Sequence, residues 1–279
     1  MELHVINTGN LKLDGGAMFG VVPKVMWQKV YPADENNLCN WSMRCLLVVD
    51  GNRKILIDCG IGDKQDQRFF NNMHLNGEDN LHASLAESGY TADDITDVAL
   101  THLHFDHCGG AVKYNIDRSG YELVFKKAMH WVGKAHWELA NKPNAREKAS
   151  FLKENFVALM EAGVLNLIDK DTTIFPGFHV KIFNGHTAGQ IIPHIQYKGR
   201  TVVYMGDLMP ASVHIPLAYV ISYDTQPLVS LAEKESFLNE ALANDYVLFF
   251  EHDIYHECCD LQQTDKGVRA KNYFALKEI

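Results

Sequence analysis

The segment Thr101–His107 carries four metal-binding side chains within six residues. It contains the pattern His-x-His-x-Asp-His, formed by His102, His104, Asp106 and His107. Because histidine makes up only 14 of the 279 residues, such a run is improbable by chance. Imidazole and carboxylate groups are ligands that Zn²⁺ and similar divalent ions select. Four of them so close together cannot all reach one ion without strain, so the spacing predicts two neighbouring ions.

Other metal-capable residues follow short apolar runs, which are predicted to be β-strands. The predicted strands are Cys45–Val49, Lys54–Ile57, Val98–Leu100, Glu122–Phe125, His179–Phe183, Thr201–Met205 and Tyr246–Phe250. Five of them are followed within a few residues by a polar side chain: Asp58, His102, His186, Asp207 or His252. In α/β proteins, sites are assembled at the carboxyl ends of strands. The placement therefore predicts that these residues meet at one edge of the fold.

Helical patterns lie between the predicted strands. They cover Leu81–Glu87, Ala145–Glu161 and Leu228–Ala243, and Gly163 is a stop signal after the second. Thr91–Asp94 has the spacing of a capping box that opens a further short helix. Strands interleaved with helices predict an α/β fold whose sheets are covered by helices. No linker or low-complexity tract divides the chain, so we expect residues 1–279 to form one domain.

Taken in order, these motifs resemble the signature of the metallo-β-lactamase superfamily. The His-rich run is followed by Gly185–Gly189, by Gly206–Asp207 and by His252, and Asp58 matches the family's first motif. The resemblance extends from Asp58 to His252, which is most of the chain. It implies an αββα sandwich, in which two facing sheets are flanked by helices and the site lies at one edge.

The resemblance also implies a role for each of these residues. A first ion would be held by His102, His104 and His186. A second would be held by Asp106, His107 and His252, with Asp207 bridging both ions. Asp58 would brace the His-rich loop without binding metal. The cofactors implied are two divalent ions, first of all Zn, with Fe, Mn or Co as alternatives, and Asp106 and Asp207 would set their geometry for catalysis.

Within the superfamily, the chain looks like the branch of N-acyl homoserine lactone lactonases, pyridoxolactonase-like enzymes and methyl parathion hydrolase-like enzymes. It shares with them a long segment before the His-rich run and an Asp at the bridging position. The resemblance implies hydrolysis of a small neutral lactone or ester, in which metal-bound hydroxide attacks the carbonyl. Hydrolysis of a phosphotriester or another ester is an alternative. From other classes, a mononuclear iron dioxygenase acting on thiols and an inactive binding module stay open.

Two features bear on substrate contacts. The residues from Asp14 to Trp27 are rich in glycine and apolar side chains, and they could form a pliable wall for an acyl chain or a buried edge hairpin. The lactonases place a tyrosine three residues after the bridging Asp, where this chain has Pro210, which cannot donate a hydrogen bond. We therefore predict His214 as the donor to the substrate oxygen. Tyr223 is a more distant candidate, and the alternative for His214 is a packing role.

The bulk composition indicates which kinds of partner and which compartment to expect for the protein. A net charge of −9 at pH 7 weighs against nucleic acid, because phosphate binding needs clustered Lys and Arg. The first residues lack the features of a signal peptide, and no apolar stretch is long enough for a bilayer. Six cysteines without framework spacing are expected to be free thiols in a reducing compartment. We expect a cytoplasmic protein that acts on a small molecule, without nucleic-acid or membrane partners, with a homodimer as one possible assembly.

Overall fold

The computed structural model describes all residues from Met1 to Ile279 and contains fifteen strands. In chain order the strands are β1 (Glu2–Asp14), β2 (Leu38–Asp50), β3 (Arg53–Ile57), β4 (Asp97–Ala99), β5 (Val112–Tyr114), β6 (Tyr121–Leu123), β7 (Met129–Gly133), β8 (Leu165–Ile168), β9 (Thr172–Phe175), β10 (Phe178–Phe183), β11 (Gln190–Tyr197), β12 (Arg200–Tyr204), β13 (Val247–Phe249), β14 (Cys258–Thr264) and β15 (Gly267–Phe274). They form a six-stranded sheet in the order β1-β2-β3-β4-β7-β8 and a seven-stranded sheet in the order β15-β14-β13-β12-β11-β10-β9, while β5 and β6 pair separately.

Eight α-helices connect the strands. They are α1 (Gly15–Phe19), α2 (Lys24–Trp27), α3 (Gln67–Met73), α4 (Leu81–Glu87), α5 (Phe105–Cys108), α6 (Lys134–Asn141), α7 (Val157–Glu161) and α8 (Pro227–Ala243). α8 is the longest and has its proline in the first turn, where the missing N–H has no partner to lose. None of the helices has the length and apolar character needed to span a bilayer.

The two large sheets face each other across a buried apolar layer. Leu46 and Ile57 of the first sheet pack there with residues of the second, such as Ile191 and Phe249. The outer face of the six-stranded sheet is covered by α4, α6 and α7. The outer face of the seven-stranded sheet is covered by α8, which buries Phe237 against it. The arrangement is an αββα sandwich, as the sequence predicts.

The seven predicted strands are all present, although β2 begins well before Cys45, at Leu38. The predicted helices at Leu81–Glu87 and Leu228–Ala243 are confirmed, the latter beginning one residue earlier at Pro227. Thr91–Asp94 forms a single capped 3₁₀ turn, in which the Thr91 N–H donates to Asp94 at 2.9 Å.

The predicted helix Ala145–Glu161 is wrong, because only Val157–Glu161 forms an α-helix after two separate 3₁₀ turns. Tertiary contacts override the helical pattern here. The buried Glu147 carboxylate accepts hydrogen bonds from Asn144 (2.6 Å) and from the Thr187 hydroxyl (2.7 Å). Phe151 packs its ring 5.0 Å from that of His104. The segment therefore folds across the His-rich loop and forms part of its surroundings.

Candidate metal centre

The residues that follow five of the strands meet at one edge of the sandwich, as predicted. β3 and β4 are parallel neighbours in the first sheet, and β12 and β13 are parallel neighbours in the second. Parallel strands bring their carboxyl ends to the same edge. The loops after these strands carry Asp58, His102, Asp207 and His252, and the loop after β10 carries His186.

All seven side chains predicted as ligands lie together at this edge. The ligand atoms of one group fall within 4.8 Å of one another, and so do those of a second: His102, His104, His186 and Asp207, and then Asp106, His107 and His252. Asp207 joins the two groups. Its Oδ2 lies 3.2 Å from His186 Nε2, and its Oδ1 lies 3.2 Å from His252 Nε2. The shortest contact of each oxygen is therefore to a different group, although Oδ2 also lies 3.7 Å from His107 Nε2 of the second group. A carboxylate placed between the two groups in this way is suited to bridge them.

The His-rich run changes conformation in its middle. The chain is extended at His104 and then turns into the one-turn helix α5, so that Asp106 and His107 point to the second group. After the helix, Gly109 passes so close to the preceding loop that a Cβ there would lie 2.0 Å from the Ile61 carbonyl oxygen. Glycine is needed at this position because any side chain would push the two loops apart.

The outward nitrogen of four histidine rings is hydrogen-bonded to an oxygen at 2.7–3.1 Å: His102 to Thr101, His107 to Asp58, His186 to Asp224 and His252 to the Ser42 carbonyl. The Thr101 hydroxyl donates its own proton to Asp58, so it accepts from His102. An acceptor at Nδ1 fixes the proton there and turns the Nε2 lone pair inward. His104 is reversed, because its Nδ1 faces the group and its buried Nε2 has no partner.

The inward atoms of this cluster fit divalent cations. His102 Nε2 and His104 Nδ1 are 3.0 Å apart, and the Nε2 atoms of His107 and His252 are 3.3 Å apart. Lone pairs that converge so closely repel each other unless a cation lies between them. Burial lowers the pKa of His102 and of His104 well below the usual range, so these rings are neutral.

The electrostatics of the cluster also favour bound cations. Burial opposes ionisation of Asp207, yet His186, His107 and His252 hold its pKa well below the usual range. Burial likewise opposes protonation of His107, and the carboxylates of Glu251, Asp106 and Asp207 nevertheless raise its pKa well above the usual range. A buried cluster that demands positive charge, and offers nitrogen and oxygen lone pairs, is suited to divalent metal ions.

Asp58 lies where the resemblance implies, behind the His-rich loop. Its carboxylate accepts from the backbone N–H and the hydroxyl of Thr101, both at 2.7 Å, and from His107 at 3.1 Å. The residue is fully buried and adopts a left-handed backbone conformation with φ 55°. Its contacts fix both the path of the loop and the orientation of one imidazole.

Three residues around the cluster were not singled out in the sequence. Asp224 accepts from His186 at 2.9 Å, and Glu251 lies 3.0 Å from His107 Nδ1. His136, which the sequence gives no metal context, accepts the backbone N–H of Leu103 at 2.7 Å and so supports the His-rich loop. Only Glu251 had a signal in the sequence, because it directly precedes His252.

The structure corrects the prediction that His214 contacts substrate. Its Nε2 lies 2.9 Å from the Met18 carbonyl oxygen, and its ring stacks on Phe19 and Trp41 with centroids 5.3 and 5.8 Å apart. Only 1% of the residue is exposed, and burial lowers its pKa to about 4. Its other nitrogen, Nδ1, has no hydrogen-bond partner, and the residue lines a small cavity with room for about one water molecule. The acceptor and the aromatic neighbours hold the ring inside, so His214 takes the packing role.

Tyr223 directly precedes Asp224, the residue hydrogen-bonded to His186, and the charge of Asp106 acts on its phenol. Its neighbours are fixed, because Ser222 N–H donates to the Ala17 carbonyl at 2.7 Å and Asp224 is bound to His186. Arg146 donates to the backbone carbonyls of both Ser222 and Asp224. Tyr223 itself is 42% exposed, and burial together with the charge of Asp106 raises its pKa.

The segment from Asp14 to Trp27 packs against the chain around His214 and Tyr223, which we call the rim. It forms α1 and α2, so the edge-hairpin interpretation is wrong. Met18 and Phe19 are buried, whereas Val21, at 93%, is almost fully exposed. The contacts of Met18 with His214 and of Ala17 with Ser222 connect the segment to the chain that carries Tyr223.

Comparison with known proteins identifies the family. Residues 44–252 match the family model described as the Metallo-beta-lactamase superfamily, and the chain belongs to this superfamily. It has the superfamily's hydrolase fold, with a His/Asp cluster for divalent metal ions.

The similar proteins include two lactonases and a probable metal-dependent hydrolase. An N-acyl homoserine lactonase of Bacillus cereus is 23% identical over 239 residues, which cover 79% of this chain and 85% of that protein. The crystal structure of a probable metal-dependent hydrolase from Staphylococcus aureus is 32% identical, with a TM-score of 0.89 and coverage of 98% of this chain and 96% of that chain. AidC, a dizinc quorum-quenching lactonase in complex with a product, is 22% identical, with a TM-score of 0.77 and coverage of 98% and 95%.

Proposed function

We propose that the protein hydrolyses a small neutral lactone or ester with two divalent ions, zinc in the first place. The observation that carries the proposal is the placement of Asp207, whose two oxygens each lie 3.2 Å from a histidine of a different group. We assign His102, His104 and His186 to the first ion and Asp106, His107 and His252 to the second. A complete second group favours this proposal over a mononuclear iron dioxygenase.

The chain's own residues would prepare the site for this reaction. When bound, two divalent ions supply Lewis acidity and a water of lowered pKa. Hydrogen-bond acceptors behind four of the rings keep the ligand nitrogens turned inward. Asp207 contacts both groups and would fix their distance from each other. Among the proposed ligands only Asp106 and Asp207 are anionic, so the ligand set itself would leave positive charge on two divalent ions to stabilise the oxyanion that develops at the carbonyl.

The rim supports a small substrate without negative charge. The charges of Asp106 and Asp14 both help to raise the pKa of the Tyr223 phenol, so negative charge lies near this side chain. Negative charge there disfavours phosphate-rich polymers as substrates. The lactonases among the relatives support a lactone. Pro210 stands where the resemblance implies a tyrosine, which argues against simple transfer of the acyl homoserine lactone activity.

A substrate panel tests the proposal. Protein purified without chelator is analysed for metals and assayed on lactones, carboxylic esters and phosphotriesters. We expect about two divalent ions per chain and turnover of a lactone or ester that is lost in His186→Ala and kept in His82→Ala, since His82 is exposed on α4. Turnover of phosphotriesters alone would replace the substrate class. One iron per chain with no hydrolysis would overturn the proposal.

A further inference from the structure

Two buried carboxylates lie against the same imidazole nitrogen. Glu251 Oε2 is 3.0 Å from His107 Nδ1, and Asp58 Oδ2 is 3.1 Å from the same atom. All three side chains are fully buried. One acceptor is enough to fix the proton of an imidazole, so the second carboxylate needs its own explanation.

The two carboxylates differ in their other contacts. Asp58 is occupied by the N–H and hydroxyl of Thr101. The Nδ1–H of His107 is hydrogen-bonded to Asp58, and Glu251 meets the same nitrogen in a close ion-pair contact outside hydrogen-bond alignment. No other group donates a hydrogen bond to either oxygen of Glu251, and a buried charge with so few partners is costly unless an opposite charge lies beside it. His107 is therefore the group to which Glu251 is directed.

Glu251 is also held in place by its backbone. Its carbonyl accepts from the Ser42 hydroxyl at 2.6 Å and from the Arg44 N–H at 3.1 Å. The next residue, His252, is anchored to the Ser42 carbonyl through its ring and lies 3.3 Å from His107 Nε2. Consecutive residues thus contact the two nitrogens of one ring, Glu251 at Nδ1 and His252 at Nε2.

The carboxylates are distributed unequally between the two groups. The second group contains Asp106 and is backed by Asp58 and Glu251. In the first group, Asp224 is the one carboxylate outside the cluster that directly contacts an imidazole, that of His186, while Asp58 reaches His102 only through the Thr101 hydroxyl, and Asp207 is shared. Because a carboxylate behind a ligating imidazole raises the basicity of that imidazole, the second group should bind a cation more strongly.

We propose that Glu251 is a positioning residue that acts through His107, so that the Asp106–His107–His252 group binds its ion more tightly than the His102–His104–His186 group. The inference rests on the two-ion site of the proposed function. It predicts that the two ions leave in a fixed order, the ion of the first group before that of the second.

The test is a titration of the zinc-loaded protein with a chromophoric chelator, which reports the affinity of each ion without any substrate. Wild type should release its ions in two separate steps. Glu251→Gln keeps the shape and removes the charge, and it should weaken the tighter ion by about 10–100-fold. Asp224→Asn is the matched control, and it should weaken the other ion by a similar factor.

Further variants separate positioning from folding. Glu251→Asp keeps the charge but shortens the side chain, and we expect it to restore part of the affinity lost in Glu251→Gln. Thermal melting of the metal-free proteins checks that the variants fold. If Glu251→Gln leaves both zinc affinities unchanged, or weakens only the looser ion, the inference is overturned. Wild type that binds one ion only would remove the two-ion proposal and the inference together.

Discussion

His130 is a fully buried histidine of β7 for which neither ring nitrogen has a partner in good hydrogen-bond geometry, although the backbone of Ala128 lies near enough to raise its pKa slightly against the effect of burial. It shares its face of the strand with Val132, in the apolar layer between the six-stranded sheet and its helices. Leaving a buried polar group unsatisfied costs about 1–3 kcal/mol. Leucine has a similar volume and no polar atom, so His130→Leu should raise the free energy of unfolding by about that amount at neutral pH.

The stability gained by His130→Leu should become larger at acidic pH. Burial lowers the pKa of His130 to about 4, against about 6.5 in the unfolded chain. Between these values the unfolded state binds more protons than the folded state, so stability is lost as the pH falls from about 6.5 towards about 4. At pH ~5 the loss amounts to about 2 kcal/mol, which the leucine variant should not suffer.

Urea unfolding of both proteins at pH ~7.5 and ~5 measures this difference. Metal loss in acid affects wild type and variant alike, so it cancels when their free energies of unfolding are subtracted. His82→Leu, at an exposed site, is the matched control and should stay within about 0.5 kcal/mol of wild type at both values. A His130→Leu protein that is no more stable than wild type, with an unchanged pH dependence, would refute the reasoning.

Three further outcomes follow from the site and its supports. Asp207→Ala should lose one of two metals in elemental analysis and lower turnover by about 10³-fold or more, and wild-type metal content would contradict the bridge. Tyr223→Phe should lower kcat/KM by about 10–10²-fold with metals intact, whereas Tyr273→Phe, on the edge strand β15, should match wild type. Lys234→Met removes the amine that donates to three backbone carbonyls of residues 216–219, and should lower the free energy of unfolding by about 2–4 kcal/mol in urea.

The parts of the fold that the sequence predicts are those with a local pattern. Apolar runs located seven strands, and α8 was visible from its length and periodicity. β11 has no such signal, because Pro193 interrupts its apolar run. The structure tolerates this proline because the ladder with β12 begins only at His194, so no hydrogen bond to β12 is lost at Pro193.

Long-range contacts explain the errors. The pattern of Ala145–Glu161 is helical, but the burial of Glu147 under Thr187 breaks it. His214 is close in sequence to Asp207, yet the Met18 carbonyl, almost two hundred residues away, determines where its ring points. The choice of Nδ1 as the inward atom of His104 is likewise a property of the assembled loop. None of these features can be predicted from the spacing of residues along the sequence.

The ligating side chains and the groups behind them obey different rules. A side chain that reaches the cluster must be His or Asp and must follow a strand, so spacing reveals it. The acceptor behind an imidazole has no such restriction: a hydroxyl serves His102, a carboxylate serves His186 and a backbone carbonyl serves His252. These acceptors carry different charges, however, and charge is what makes one metal group differ from the other. The residues that set the relative affinity of the two groups are therefore the ones that sequence patterns cannot identify, and the pair of carboxylates on His107 shows why the assembled structure is needed to find them.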